Sequence, residues 1–255
     1  MTAASAGRRP FEGMLQILRY NLRFYVLAGV AAALALVAAS FPVSGVPAEL
    51  SVGLAALVVL FSISSLAVAH YVYDRSALPG WAWLVPGLPA PPARWTVVHA
   101  GLDEATPALR RLFPGAVGEA LDIYDPAEMP EPSIAVARRT TALPEPARPA
   151  THDALPVAEA ECDLLVLFFV AHELRRAAAR EGLFRELRRV LAPRGTLVLV
   201  EHPRDLPNLL AFGPGFLHFL PRGEWLRLAD GAGLAVREEA RVTPFVRVFF
   251  LERCS

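Results

Sequence analysis

Two long stretches without a formal charge limit what this chain can fold into. Phe24 to Ala48 holds no Asp, Glu, Lys or Arg, and after Glu49 neither does Leu50 to Tyr73. A helix needs about 20 apolar residues to cross a bilayer core, so each run is long enough. Between them, Phe41-Pro42-Val43-Ser44-Gly45-Val46-Pro47 supplies two prolines and a glycine. That is turn chemistry, and it divides the apolar region into a helical hairpin. A cleaved signal peptide is not expected, because the first run is too long and a second follows directly.

The arginines set an orientation. Arg8, Arg9, Arg19 and Arg23 precede the first run, Arg75 follows the second, and the hairpin tip carries only Glu49. The positive-inside rule then puts both termini in the cytoplasm and the two spans in the inner (cytoplasmic) membrane, with the lipid bilayer as a partner. Phe11, Met14, Leu15, Leu18 and Leu22 recur at helical spacing before the first span. They describe either an interfacial helix or a plain extension of the span. Trp81 and Trp83 stand where an aromatic belt belongs. Gly29, Ala31 to Ala33, Ala55, Ala56, Ser64 and Ser65 are small enough for close helix approach in lipid. The hairpin is expected to pack on itself, and a homodimer through the same faces is a second arrangement.

The remaining boundaries follow from composition. Residues 1–23 form the N-terminal segment, 24–73 the hairpin and 74–94 a linker. Pro79, Pro86, Pro89, Pro91 and Pro92 make that linker a stiff connector. Residues 95–255 form the second domain. There, Trp95–Ala100, Glu119–Tyr124, Asp163–Val170 and Thr196–Val200 read as buried strands. They alternate with helices over Ala108–Phe113, Ser133–Arg139 and Ala177–Leu191. Thr106 is the expected N-cap of the first, and Pro193-Arg194-Gly195 follows the last as a turn. Continuous apolar strands separated by helices predict a doubly wound, mostly parallel α/β sheet. Leu234–Val242 and Phe245–Glu252 are joined by two residues, which permits only an antiparallel pair.

Charge and cysteine usage exclude several classes. The 25 basic residues balance the 25 acidic ones, which gives no basic stripe for a nucleic acid. Two isolated cysteines make neither a disulfide framework nor a zinc cluster.

Leu155-Pro156 followed by Glu161-Cys162-Asp163-Leu164-Leu165 resembles the approach to the fourth strand of class I S-adenosylmethionine-dependent methyltransferases. Leu183-Phe184-Arg185-Glu186-Leu187-Arg188-Arg189-Val190-Leu191-Ala192-Pro193-Arg194-Gly195 resembles their next helix, turn and fifth strand. The resemblance covers roughly 94–254. It is similar to a membrane-anchored bacterial branch carrying His-Ala-Gly-x-Asp-Glu after the first strand. It implies a Rossmann-type, methyltransferase-like fold and S-adenosylmethionine as cofactor. The family's glycine loop falls on Gly101-Leu102-Asp103-Glu104-Ala105, so its second and third glycines are replaced by Asp103 and Ala105. Asp103 is then placed to pair with the ammonium of the cofactor's methionine part. Asp122 falls on the carboxylate that holds the ribose hydroxyls, and Asp153 on the residue that contacts the adenine amino group.

Ligands of a doubly wound sheet bind beyond the carboxyl ends of its strands. His99 closes the first strand there and is counted with Gly101, Asp103, Asp122 and Asp153 among the cofactor-binding residues. His172 and Glu173 follow the fourth strand, and Glu201 and His202 close the fifth. Methyl transfer needs positioning and a base, so His172 is the first candidate, with Glu173 or Glu201 orienting it and His202 or His218 as substitutes. Asn208 to Phe219, apolar with Gly-Pro-Gly at its centre, reads as a lid over an apolar acceptor or as a membrane contact. The expected activity is methylation of a small lipophilic molecule at the membrane. The alternative is a non-catalytic scaffold or ligand-binding subunit, favoured by the altered glycine loop. A third reading is a metal-dependent enzyme using His99, His172, Glu173, Glu201 and His202, a mixed donor set that suits zinc or iron; it ranks last and no metal site is expected, because these residues have no closely spaced ligand motif.

Overall fold

A computed structural model describes residues 10–41 and 47–254. Arg8, Arg9 and the centre of the expected hairpin turn (42–46) lie outside the described residues. A seven-stranded sheet in the order β3-β2-β1-β4-β5-β7-β6 organises the second domain. Strands β1 (Arg94–His99), β2 (Val117–Asp122), β3 (Arg148–Pro149), β4 (Cys162–Phe168) and β5 (Leu191–Glu201) run parallel. Strand β7 (Val246–Arg253) pairs antiparallel with both β5 and β6 (Leu234–Thr243). The expected sheet and its antiparallel finish are therefore present.

Alternate residues of the central strands serve two cores, as pleating requires. Val98, Leu165, Leu167, Leu197 and Leu199 face α6 (Ala177–Val190), whose Leu183, Phe184, Leu187 and Val190 lie on one side of that helix. Trp225 and Leu228 of α8 (Arg222–Gly231) complete that layer. Val97, Leu164, Val166, Val198 and Val200 face α4 (Ala105–Leu112) through Ala108 and Leu109.

The rest of the second layer comes from the proline-rich segment. Leu78, Trp81 and Leu84 are buried in that core, and the Trp81 ring packs on Phe168 at 4.8 Å. Trp81, only 1% exposed, is thus a core residue and not part of an aromatic belt. The segment folds into two 3-10 turns, Leu78–Gly80 and Val85–Gly87, and caps the sheet instead of spacing it from the hairpin. Prolines stop a helix here without freeing the chain, because the intervening large residues have a core to enter.

Two further expectations are corrected. Thr106 lies inside α4, and the N-terminal cap comes from Asp103, whose Oδ1 accepts the Thr106 N–H at 2.8 Å. Pro193-Arg194-Gly195 sits within β5 as an irregularity: Cys162 pairs with Leu191, but Leu164 pairs with Thr196.

Helices α2 (Leu22–Ser40) and α3 (Ala48–His70) pair, and each is long and apolar enough to cross a membrane. Ala32, Ser51, Ala55 and Ser65 are buried, while Leu27, Leu34, Leu50, Leu60 and Ile63 are exposed. This inverts the pattern of a core helix. Helix α1 (Glu12–Tyr20) is a separate element, broken from α2 at Asn21. It binds the end of α3, where the chain passes through a π-helical turn, Tyr71–Arg75. Asp74 accepts the backbone N–H groups of Gly13 at 2.7 Å and Met14 at 3.1 Å, and approaches His70 Nδ1 at 3.0 Å. These two N–H groups belong to the first turn of α1 and have no partner within the helix. Asp74→Ala is expected to cost about 1.5–3 kcal/mol, the range for hydrogen bonds to a charged group. Thermal unfolding of the full-length chain in detergent should fall accordingly, with faster proteolysis within α1. An unchanged melting curve and digest would refute this anchoring role.

Candidate active site

The parallel register brings the carboxyl ends of β1, β2, β4 and β5 to one rim. His99 pairs with Asp122 across β1 and β2, and Phe168 with Val200 across β4 and β5. Beyond β4, Phe169 adopts φ +53°, a conformation that costs a bulky side chain energy. The chain there turns into a 3-10 turn, Ala171–Glu173, directly above the end of β5.

Glu201 is fully buried and holds that turn from below. Its Oε1 accepts the N–H of Ala171 at 3.0 Å and of His172 at 3.3 Å, and its Oε2 lies 2.6 Å from His172 Nδ1. The Nε2 of His172 lies 3.4 Å from Glu173 Oε1. The His218 ring stands edge-on to His172 at 4.9 Å and within 3.7 Å of Glu173. Burial alone would lower the His172 pKa, but the charges of Glu201 and Glu173 outweigh it and raise it to about 10. Burial pushes Glu173 upward, yet His172 and His218 hold its carboxyl well below the usual range.

His202 has a different part from the one expected. Its Nδ1 lies 2.8 Å from the Phe245 carbonyl and its Nε2 2.8 Å from the Tyr73 hydroxyl. A carbonyl only accepts, so Nδ1 carries the proton and Nε2 accepts from Tyr73. The ring is sandwiched between Phe169 at 4.6 Å and Phe219 at 4.9 Å. Burial lowers its pKa to about 3. With both nitrogens engaged, His202 is a neutral pin between the π-helical turn and the sheet rather than an acid or base.

At the end of β1, the Gly101 N–H donates to His99 Nδ1 at 3.0 Å. The neutral ring therefore carries its proton on Nε2, which is buried without a partner among the described residues, as is Asp103 Oδ2. Burial lowers the His99 pKa, with Asp103 opposing. Gly101 has φ +107°, and a Cβ there would lie 2.3 Å from the Arg138 side chain. Arg138, from α5 (Pro132–Thr140), donates to both carboxylate oxygens of Asp122 at 2.9 and 2.8 Å and lies over the Tyr124 ring. Asp153 is an exposed turn residue beside Gly182 of α6, and like His99, Gly101, Asp103 and Asp122 it does not line the cavity described next.

A cavity of about 870 Å³ opens in front of His172, Glu173 and His218. Its walls join the two parts of the molecule. Tyr20, Arg23, Phe24 and Tyr25 contribute from α1 and α2, and Ser65 from α3. The opposite wall holds Phe212 of α7 (Leu206–Phe212) and Leu217 and Phe219 beyond it. The segment expected as a lid lines the cavity through Phe212, Leu217 and Phe219, and its exposed apolar residues are leucines. His172, Glu173 and His218 place one ligating atom each within 4.8 Å of one another, donors suited to a divalent cation. His99 and His202 are not part of that group.

Tyr73, Arg138, Arg19 and Arg23 were not singled out for the site by sequence reasoning. Tyr73 meets His202 129 positions away and Arg138 meets Asp122 16 positions away, and no local pattern marks any of the four. Glu201→Gln should lower the His172 pKa, since it removes a negative charge that favours the imidazolium. Imidazole NMR titration of the two proteins measures this, and equal midpoints would show that Glu201 does not set the charge of His172.

Residues 125–199 match a family model described as a methyltransferase domain. No curated protein sequence matches the chain. Among solved structures, human N-acetylserotonin methyltransferase in complex with SAM is similar at 15% identity and a TM-score of 0.57, over 99% of this chain and 73% of that one. Mitomycin 7-O-methyltransferase follows at 16% and 0.52, over 97% and 74%. A SAM-dependent methyltransferase from Aquifex aeolicus matches 68% of this chain and 88% of its own, at 18% and 0.50. The first two likenesses run through the N-terminal helices.

Proposed function

We propose that this chain, whose α/β domain belongs to the class I S-adenosylmethionine-dependent methyltransferase superfamily, is a membrane-anchored enzyme that methylates a small lipophilic acceptor. One observation carries the reading. The cavity that holds the His172 imidazole is walled on its other side by α1, α2 and α3. A chemical site and two helices of membrane-crossing length share one space. Arg19, Arg23 and Arg75 support cytoplasmic termini, with the bilayer as the principal partner. Gly29 and Gly53 have nothing within 4 Å of an added Cβ, a surface on which a second copy could pack.

The polar atoms at the strand ends fit the cofactor. Asp103 Oδ2 would take its ammonium and His99 Nε2–H its carboxylate, two groups that are otherwise buried without partners. The Arg138 side chain packs over Gly101, so the approach there opens only when Arg138 moves. Asp122 would take the ribose hydroxyls once Arg138 swings off its carboxylate. When bound, S-adenosylmethionine supplies a methyl group on a sulfonium, a leaving group that needs no further activation. His172 accepts the proton of the acceptor at Nε2, while Glu201 fixes the ring through Nδ1. Phe212 and Phe219 exclude water from the reacting end.

Only the neutral imidazole can take a proton, and its pKa is raised to about 10. The rate is therefore expected to climb with pH through the neutral range and level off near pH 10. His172→Ala should cost about 100- to 10,000-fold, the usual worth of a positioned base. Release of the demethylated cofactor over a bacterial lipid extract measures both. A flat pH profile, or full activity in the variant, would remove His172 from this role.

Cofactor binding is tested by calorimetric titration of S-adenosylmethionine into the detergent-solubilised full-length chain. Micromolar binding lost in Asp122→Ala and tightened in Arg138→Gln is the expected result. The Arg138–Asp122 pair favours a second reading, a ligand-binding subunit without methyl transfer. No binding in either the wild type or Arg138→Gln would select it.

A further inference from the structure

We infer that the acceptor is an anionic amphiphile, which enters the cavity sideways from the cytosolic leaflet and is held by Arg19 and Arg23. This rests on the membrane-anchored reading above and narrows its substrate class.

The lateral route follows from the depth at which α7 meets α3. Ser64 Oγ donates to the Leu210 carbonyl at 3.3 Å, and a Cβ on Gly213 would lie 2.8 Å from the Phe61 ring. Ser64 and Phe61 precede His70, the last residue of α3, by six and nine positions. At 1.5 Å per residue these contacts lie about 9 and 14 Å up the helix, within the zone α3 needs to span. The segment after β5 therefore reaches into the membrane boundary. It presents Leu206, Leu210 and Leu217 outward, at 65, 62 and 56% exposure. Leu22 and Phe24 are exposed at the start of α2 and also line the cavity. The cavity edge between α2 and the Leu206–His218 segment is thus apolar on both sides at the depth where lipid begins.

The charge preference comes from two cations on the same wall. Arg19 ends α1, Arg23 lies in the first turn of α2, and both line the cavity. Both are exposed, and neither has an ion-pair partner among the described residues. Topological bias explains why arginines stand on the cytosolic side of a span, but not why these two stand on a cavity wall. The lining also carries Glu104, Glu131 and Arg175; Glu131 lies 3.4 Å from His218, and Arg175 is engaged by the His172 and His218 carbonyls. A neutral lipophile would use neither arginine. A carboxylate or phosphate on an amphiphile would neutralise them at the interface, while its tail lies along Phe24, Phe212 and Leu217.

The test uses full-length protein in a non-ionic detergent and a fluorescent probe, 11-(dansylamino)undecanoic acid, with its methyl ester as the neutral control. The acid should bind about tenfold tighter than the ester, a difference of about 1.4 kcal/mol. The double variant Arg19→Gln, Arg23→Gln should lose that preference and keep ester binding, and Arg19→Lys, Arg23→Lys should retain it. Equal binding of acid and ester, or a preference that survives the Gln pair, overturns the proposal. Inorganic phosphate should not displace the probe; displacement would mean a small-anion site and overturn the amphiphile assignment. For the route, Leu210→Trp in vesicles of brominated phosphatidylcholine should add fluorescence that the bromines quench, and unquenched emission overturns lateral entry. S-adenosylmethionine titration of the same samples reports the enzyme reading separately, so either can fail alone.

Discussion

Glu201 is a carboxylate with no exposure to solvent, and a buried charge without partners would cost several kcal/mol. It is satisfied by three groups of one short turn: two backbone N–H groups and the His172 ring. The turn after β4 therefore cannot drift relative to the end of β5 without stranding that charge. Everything on the rim takes its position from this constraint. Glu173 follows His172 into the cavity, His218 packs edge-on against the fixed imidazole, and Phe169 absorbs the backbone strain of starting the turn. A neighbouring pair of parallel strands supplies the geometry, and the ion pair locks it.

The strands and helices were legible because apolar continuity and its interruption depend on neighbours in sequence. Asp163–Val170 and Ala177–Leu191 carry enough of that signal to be read within two residues of their observed ends. The rim residues His172, Glu173 and Glu201 were legible for the same reason, since each follows a recognisable strand. What those residues touch was not. His202 and His172 look alike in sequence, each polar after an apolar run. Tyr73 and the Phe245 carbonyl make one a neutral pin, while two carboxylates make the other a charged ring. Trp81 was misread because an aromatic after a span suits a membrane interface as well as a core. Only the open face of the sheet, which α4 does not cover alone, decides between them.

The π-helical turn joins hairpin and domain more closely than a linker would. Asp74 ties α1 to it, Tyr73 reaches His202, and the Tyr20 and Thr141 hydroxyls lie 2.6 Å apart between α1 and the end of α5. α5 also supplies Arg138, the side chain that covers Gly101 and Asp122, so the N-terminal helices and the end of β2 share one packed set of residues.

The charges in the cavity also divide by depth. Near the sheet, Glu131, Glu173 and Glu201 stand around His172 and Arg175, so with His172 protonated these five groups retain one excess negative charge. That excess favours a cationic ligand such as a sulfonium. Near the hairpin, Arg19 and Arg23 reverse the sign. One cavity therefore presents a negative floor and a positive mouth. A ligand that is positive where the methyl group leaves and an acceptor that is negative where it meets the lipid would each be drawn to its own end. Repulsion at the wrong end would disfavour the exchanged arrangement.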